Sequence, residues 1–286
     1  MRKKSDRSTG RKPAGKKDPA GVRPKKQLGQ HFLTDLGIAR KIAGTLSLEA
    51  TSNVVEIGPG TGVLTRLLLE RPVSLLAVEL DPEAAGYLQH SFIPGLAGQE
   101  LPYQSFEVLQ ADFLRMDLEG LFPGEPFAIT GNFPYNISTQ IVFRLLEARA
   151  RVPEFSGMFQ KEVAERICAG PGSKAYGILS VLVQAYYEAT YCFTVPPDVF
   201  HPPPKVDSGV LYLNRKAISL PGLDEAFFFR LVKTAFNQRR KTLRNSLKGL
   251  GLSDNLKEDA IFDRRPEQLS VTEFIALSKR ISDDPV

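Results

Sequence analysis

A short apolar run that ends in three alternating glycines is the feature that most restricts how this chain can fold. Residues 53–57 read Asn-Val-Val-Glu-Ile, and Gly58, Gly60 and Gly62 follow before a helical pattern begins. Glycine lets the backbone turn tightly and lets another group approach where a side chain would collide. A strand, a glycine turn and a helix in this order predict the first unit of an open α/β sheet, in which ligands bind at the carboxyl ends of the strands.

After this turn, apolar runs of strand length alternate with helical patterns. The predicted strands are residues 53–57, 74–79, 106–110, 127–130, 157–160 and 209–213. The predicted helices between them are residues 62–70, 82–90, 138–150, 161–169 and 178–187. Such alternation is typical of a mainly parallel sheet covered by helices, the Rossmann-like α/β class.

The pattern from residue 216 to residue 286 is helical only, at 223–236, 241–250 and 271–281. We therefore expect a sheet domain at residues 26–215 and a small all-helical C-terminal domain at residues 216–286. A basic block without an interleaved acid runs through the first two of these helices. It either lines a surface that meets RNA or forms an ordinary solvated face. Its members are Arg230, Lys233, Arg239, Arg240, Lys241, Arg244 and Lys248.

The N-terminus carries a strong excess of positive charge. Residues 1–26 hold eleven lysines and arginines against Asp6 and Asp18, a net charge of +9, so the remainder carries −4 of the total of +5. This segment has almost no large apolar residue and cannot offset its own ordering entropy. We expect residues 1–25 to form a disordered basic arm, which either binds a phosphate backbone or serves as a solvated tail.

Composition also argues against several classes of protein. Cys168 and Cys192 are too few for a disulfide framework, and no Cys/His cluster has metal-ligand spacing. No stretch approaches the roughly 18 apolar residues of a membrane span, and the charged N-terminus lacks the apolar core of a signal peptide. We expect a cytoplasmic monomer with no bound metal and no membrane partner.

Two acids follow the next two predicted strands and indicate a nucleoside cofactor. Glu79 ends the strand after the glycine turn, where a carboxylate accepts hydrogen bonds from ribose hydroxyls. Asp112 follows the third strand, placed to accept from an adenine amino group. A dinucleotide fingerprint would need glycine where Val63 stands, whereas the spacing GxGxG is found in Rossmann-like methyltransferases. Each acid alone could be a helix cap, but together with Gly58 and Gly60 they predict S-adenosylmethionine binding.

The fourth predicted strand ends in Asn132-Phe133-Pro134-Tyr135, a pattern suited to methylating an exocyclic amine. An adenine amino nitrogen is a poor nucleophile because its lone pair is delocalised into the ring. The Asn132 side-chain oxygen and the Phe133 carbonyl can accept its two N–H groups, while Pro134 fixes the backbone. Tyr135 offers a face on which an extruded base can stack. The alternative for Asn and Pro here is an ordinary turn.

A proline-rich segment at residues 195–208 precedes the last predicted strand and presents Phe200. This ring is predicted to close the second side of a base sandwich opposite Tyr135. It could equally anchor the loop in the core.

Taken together, these motifs resemble the KsgA family of small-subunit rRNA adenine N6,N6-dimethyltransferases, relatives of the Erm resistance methyltransferases. The resemblance runs from Lys25 to about Arg280. Its markers are residues 26–33 (KQLGQHFL), 56–62 (EIGPGTG), 132–138 (NFPYNIS), 160–163 (QKEV), 173–177 (SKAYG) and 202–208 (PPPKVDS). The last three groups favour the housekeeping enzymes over the resistance branch.

The resemblance implies both contacts and substrate. Cofactor contacts would be made by His31, Leu33, Gly58, Glu79, Asp112 and Asn132. Position 31 is commonly Asn in this family, so His31 is a variant near the methionine end of the cofactor. The implied substrate is a pair of adjacent adenosines in a hairpin loop near the 3′ end of small-subunit rRNA, each dimethylated within an assembling subunit.

Three other functions remain open from the sequence. An Erm-type enzyme acting on large-subunit rRNA would share the chemistry and differ in substrate. A non-catalytic binding protein on this fold is disfavoured by the intact acids and the Asn132–Tyr135 motif. A nicotinamide oxidoreductase is disfavoured by the spacing at Val63.

Overall fold

The computed structural model describes residues 21–218 and 220–284. The predicted basic arm at residues 1–25 therefore lies mostly outside the described residues. The strands are β1 Phe32–Leu33, β2 Asn53–Ile57, β3 Ser74–Glu79, β4 Ser105–Gln110, β5 Ala128–Thr130, β6 Glu154–Gln160, β7 Tyr187–Val195, β8 Phe200–His201 and β9 Ser208–Arg215.

The helices lie between the strands along the chain and, from Glu225 onward, after the last strand. They are α1 Leu36–Ala43, α2 Val63–Leu69, α3 Pro82–Tyr87, α4 Ile93–Gly95, α5 Ser138–Glu147, α6 Lys161–Cys168, α7 Ile178–Gln184, α8 Glu225–Asn237, α9 Leu243–Ser246, α10 Asp254–Lys257 and α11 Val271–Ser282. A π-helical turn, Leu88–Phe92, joins α3 to α4. Short 3₁₀ turns lie at Lys26–Leu28, Phe113–Arg115, Pro197–Val199, Lys248–Leu250, Ala260–Asp263 and Pro266–Gln268.

In the described chain, a sheet of seven strands has the order β4-β3-β2-β5-β6-β9-β7. The strands from β4 to β6 run parallel, and β9 is antiparallel to both β6 and β7. The chain moves outward from β2 to β4 and then returns to the other side of β2 with β5. The carboxyl ends of β2 and β5 therefore border a topological switch point, which is where open α/β sheets bind ligands.

The predicted fold class is confirmed, and each predicted strand has a counterpart in the sheet. Strand β7 was not predicted, because the helical pattern proposed at 178–187 continues into its first residue. Its exposure alternates along the strand, as expected at a sheet edge with one solvated face. The short pair of β1 with β8 was also not predicted, since it joins segments far apart in sequence.

The C-terminal helices share an apolar core with the sheet. One cluster of buried side chains includes Phe155 of β6 and Leu182 of α7 together with Phe228 of α8 and Phe274 of α11. Burial of such large side chains stabilises the packing of the helices on the sheet. The proposed division at residue 216 stays a prediction.

Two members of the basic block are paired with acids, although the sequence of the block contains none. Arg239 forms an ion pair with Glu267 at 2.9 Å, and Arg244 forms one with Asp263 at 2.8 Å. Both acids follow the block in sequence, so the absence of an acid within the block did not predict these pairs.

Candidate active site

A cavity of about 790 Å³, measured to its open mouth, lies at the carboxyl edge of the sheet. The glycine turn and the Asn-Phe-Pro-Tyr motif line the same cavity. Its walls comprise Leu28, Gly29, Gln30, His31, Phe32, Ile57, Gly58, Gly60, Val78, Glu79, Leu80, Ala111, Asp112, Phe113, Asn132, Phe133, Pro134, Tyr135, Asn136 and Ile137.

The glycine turn and Glu79 are directly connected. Gly58, Gly60 and Gly62 all have positive φ, between 57° and 82°, a conformation that glycine adopts without strain. The Gly60 N–H donates to Glu79 Oε2 at 3.0 Å, and the Asp81 N–H donates to Glu79 Oε1 at 2.8 Å. Burial raises the pKa of Glu79, while these two N–H donors lower it. Each oxygen keeps a lone pair that can accept a ligand hydroxyl.

Asp112 lies two residues beyond the end of β4 and lines the same cavity as the glycine turn. Its Oδ1 accepts from the Leu114 N–H at 3.0 Å, so it caps the following 3₁₀ turn. Its side chain remains partly exposed, at 36%. Leu80 is 47% exposed, and with Phe113 it lines the cavity near these acids. Apolar walls and two carboxylates that accept hydrogen bonds suit a purine nucleoside, so these residues can hold S-adenosylmethionine.

An N-terminal strap, residues 25–32, supplies part of the cavity wall, from Leu28 to Phe32. Lys25 forms an ion pair with Asp81, whose side chain is fully buried. Gln30 Nε2 also donates to Asp81 at 3.2 Å, and its Oε1 accepts from the Lys25 N–H at 2.8 Å. Because Asp81 is two residues beyond Glu79, these bonds fix the strap close to Glu79.

Asn132 is oriented by the same strap. Its Nδ2 donates to the His31 carbonyl at 2.8 Å, which leaves Oδ1 as the free acceptor of the amide. Phe133 anchors the motif from below, because its ring is 1% exposed and stacks on Phe155 with centroids 5.1 Å apart. A Cβ at Gly157 would lie 2.3 Å from the Phe133 ring, so only glycine fits beneath this anchor.

Tyr135 is held at both its ring and its hydroxyl. Its ring stacks on the His31 imidazole with centroids 5.6 Å apart and planes at 30°. Its hydroxyl shares a hydrogen bond with the Ser208 hydroxyl at 2.5 Å. Burial raises the pKa of Tyr135, although the Ser208 bond lowers it, so the phenol is neutral at ordinary pH.

His31 links the strap to the proline-rich segment. Its Nδ1 lies 2.7 Å from the Pro202 carbonyl. A carbonyl can only accept, so Nδ1 carries the proton, and in the neutral ring Nε2 is the acceptor.

Two residues assigned from sequence do not line this cavity. Phe200 is 4% exposed and packs in an apolar cluster, because the pairing of β8 with β1 places it opposite Leu33 in the core. The expectation that Phe200 closes a base sandwich is therefore not met in this structure; its ring acts as the core anchor that was the alternative. Leu33 is 5% exposed and borders a smaller adjoining cavity with Gly58, Gly60 and Asn132.

Several residues in the cavity wall, or bonded to it, were missed by sequence reasoning. Leu80 and Phe113 immediately follow the two assigned acids, so their position beside those acids could have indicated them. Ser208 ends the marker at 202–208 but carries no local signal for contact with Tyr135. Such a contact joins positions 73 residues apart.

We searched the described residues for a metal-binding cluster and for a membrane-spanning helix. No cluster of three or more His, Cys, Asp or Glu side chains among them is arranged to hold a metal ion. Within residues 21–218 and 220–284, no helix combines the length and apolar character needed to cross a bilayer.

Comparison with known proteins adds sequence and fold relationships. The model of a family described as "Ribosomal RNA adenine dimethylase" matches residues 21–282. A protein of Flavobacterium johnsoniae named "Ribosomal RNA small subunit methyltransferase A" is 57% identical over 266 residues, which is 93% of this chain and 98% of that protein. A protein of the same name from Bacteroides thetaiotaomicron is 51% identical over 263 residues, covering 92% and 95% of the two chains.

Solved structures have the same architecture. A dimethyladenosine transferase from Plasmodium falciparum superposes with a TM-score of 0.72 at 26% identity, covering 86% of this chain and 96% of its own. The 23S rRNA methyltransferase ErmE superposes with a TM-score of 0.63 at 28% identity, covering 86% and 99%.

Proposed function

The chain belongs to the ribosomal RNA adenine dimethylase family, and from this premise we propose that it dimethylates two adjacent adenosines near the 3′ end of small-subunit rRNA. The methyl groups come from S-adenosylmethionine and go to the N6 amino groups of the two bases, which lie in a hairpin loop. Relatives named for the small subunit, at 57% and 51% identity, support this substrate over large-subunit rRNA.

One observation carries the proposal. Gly58, Glu79 and Asp112 line a cavity whose walls also include Asn132 and Tyr135. A methyl donor held by the first three residues can thus meet a base held by the last two without an intervening barrier. If the two motifs opened into separate cavities, no direct transfer could occur.

The acceptor groups explain how an unreactive amine becomes a nucleophile. Asn132 Oδ1 and the Phe133 carbonyl accept the two N–H groups of the base, which draws the nitrogen toward tetrahedral geometry and directs its lone pair outward. Tyr135 supplies a stacking face worth about 1–3 kcal/mol for an extruded base. Bound S-adenosylmethionine supplies an electrophilic methyl group on its sulfonium.

The chain's residues act by positioning and electrostatics, with no general base. The methylated nitrogen is strongly acidic and loses its proton after transfer. Asn132 is neutral and oriented by the His31 carbonyl, so for a second methyl transfer it can again accept an N–H group, the one that the once-methylated amine keeps.

The partner is the assembling small ribosomal subunit, and we propose that the chain acts on it as a cytoplasmic monomer. Arg240 and Lys241, which the described ion pairs leave unmatched by acids, suit contact with rRNA phosphates. The basic arm would add to that contact.

The experiment is incubation of unmethylated small subunits with methyl-labelled S-adenosylmethionine, followed by mapping of the label. We expect label on N6 of two adjacent adenosines near the 3′ end of the rRNA, with up to two methyl groups on each. Label on large-subunit rRNA would support the Erm-type alternative, and absence of label from both subunits would support a binding protein without catalysis.

A further inference from the structure

The bond between Ser208 and Tyr135 has no part in the mechanism described so far. Ser208 is the first residue of β9 and its side chain is fully buried. We propose that Ser208 is a positioning residue that fixes the plane of the Tyr135 ring for stacking of the target adenine. This inference rests on the proposed function, because it concerns how the acceptor base is held.

Ser208 has the rigidity that such a role needs. It pairs with Gln160 of β6 on one side and with Val195 of β7 on the other. Its backbone therefore belongs to the interior of the sheet. Tyr135, in contrast, lies in the turn between β5 and α5, outside any strand or helix.

The hydroxyl bond gives the ring a second point of attachment. The Tyr135 backbone is already held near α5, because Ser138 Oγ donates to the Tyr135 carbonyl at 3.1 Å. A ring fixed only at its Cβ can rotate about two side-chain torsions. Holding the opposite end of the ring on β9 restricts both rotations, so the stacking face keeps one direction.

The direction of the Tyr135 ring matters because His31 already occupies one of its faces. It covers one face of Tyr135 at 5.6 Å between centroids, a direct ring-to-ring distance that leaves no space for a base between them. The base must use the other part of the Tyr135 surface. A ring that tilted away from Ser208 would move this surface relative to Asn132, and misplacement of this kind slows a reaction that depends on orientation.

The proline-rich segment thereby gains a role different from the one expected of Phe200. Its Pro202 carbonyl accepts from His31, and its last residue, Ser208, bonds Tyr135. The segment acts on the acceptor site by holding two rings in place, whereas its own aromatic residue lies in the core.

The test compares Ser208→Ala, Tyr135→Phe and the double variant, with methyl transfer to unmethylated small subunits as the activity. Each single variant should lower kcat about tenfold, with unchanged affinity for S-adenosylhomocysteine by calorimetry. The double variant should be no slower than either single variant, because both remove the same bond.

Ser156→Ala is the matched control. Ser156 is also a fully buried serine of the same sheet, and its Oγ donates to the Leu211 carbonyl at 3.0 Å, away from Tyr135. Per folded molecule, this variant should keep the wild-type kcat. It reports how far loss of any buried serine hydroxyl slows the enzyme.

A spectroscopic measurement separates positioning from a merely structural role. RNA carrying 2-aminopurine at the target position should show less quenching with Ser208→Ala than with wild type, since stacking quenches this base. A wild-type kcat in Ser208→Ala, or additive losses in the double variant, would overturn the proposal. If Ser208→Ala does not fold, Tyr135→Phe decides in its place: a wild-type kcat overturns the proposal, and a tenfold loss with cofactor affinity intact supports it. An inactive wild-type enzyme would instead count against the proposed function itself.

Discussion

The side-chain amide of Asn132 donates to the backbone carbonyl of His31, with 2.8 Å between nitrogen and oxygen. The imidazole of His31 lies 2.7 Å from the Pro202 carbonyl and stacks on Tyr135. Three segments distant in sequence therefore meet at one histidine. The bond leaves the Oδ1 end of the Asn132 amide as its free acceptor, and under the proposed function a neutral amide presented in this way requires no proton transfer to act.

Replacement of Asn132 tests the acceptor role. Asn132→Ala removes Oδ1 and should lower methyl transfer to small subunits by at least about 100-fold, as loss of an oriented polar group in an active site typically does. The fold should survive, because Asn132 is only partly buried and its neighbour Phe133 keeps the anchor. Thermal unfolding checks the fold, and Asn245→Ala, in α9, is the control. Transfer at a near-normal rate would refute the role.

Glu56 should make stability depend on pH. It is buried in β2 with Oε2 unpaired among the described residues, and burial raises its pKa from 4.5 to about 8. The folded state therefore binds more protons than the unfolded state between these values. The stabilisation from the protonated carboxyl is complete below pH 4.5 and is lost as the pH rises to about 8.

Glu56→Gln should remove this dependence, because glutamine resembles the protonated acid and does not titrate. The unfolding free energy of wild type should fall relative to the variant by up to about 1.4 kcal/mol per pH unit within that window. Urea unfolding between pH 5 and pH 8 measures the difference. Glu107→Gln, at an exposed site in β4, is the control. Parallel pH profiles for wild type and Glu56→Gln would contradict the assignment.

Arg151, which lies between α5 and β6, should stabilise the loop between β4 and β5. Its guanidinium donates to five backbone carbonyls, those of Leu118, Glu119, Leu121, Phe122 and Glu125, at 2.5–3.0 Å. Lysine has a charge but lacks the planar fork that makes these bonds. Arg151→Lys should lower the unfolding free energy by about 2 kcal/mol, measured by urea unfolding.

The control for Arg151 is Arg115→Lys, because the Arg115 side chain is 88% exposed. Its unfolding free energy should change by less than about 0.5 kcal/mol. Equal stability of the two variants would show that the carbonyl bonds of Arg151 contribute nothing beyond charge.

The basic block should divide into binding and structural members. Arg240→Ala with Lys241→Ala should weaken binding to small subunits and reduce the slope of log affinity against log salt by about 2. Filter binding across a salt series measures this slope. The control is Arg40→Ala with Arg66→Ala on α1 and α2, which removes the same charge. Equal slopes for the two double variants would show that Arg240 and Lys241 do not contact the rRNA phosphates.

Much of the site was predictable from local patterns. The glycines at 58, 60 and 62 and the acids Glu79 and Asp112 stand immediately after apolar runs, so the order of strands was enough to predict that they share one edge. Parallel strands joined by short helices leave few other arrangements. The Asn132–Tyr135 motif was predictable for the same reason.

Contacts between residues far apart in the sequence could not be predicted from local patterns. Strand β7 alternates in exposure but follows a helical pattern without a break, and Phe200 lies in the core because β8 pairs with β1 across more than 160 residues. Arg239 and Arg244 find acids outside their own block. Each of these outcomes depends on which distant segment comes alongside.

The sequence by itself determined the parallel sheet, the sheet edge that carries Glu79 and Asp112, and the Asn132–Tyr135 motif, because backbone turns and apolar periodicity are properties of neighbouring residues. Only the tertiary structure decided that His31 orients Asn132, that Ser208 holds Tyr135 and that Phe200 is buried. These contacts arise when the strap, the Asn132–Tyr135 motif and the proline-rich segment pack together. The direction of each side chain at such a junction is set by all three segments at once.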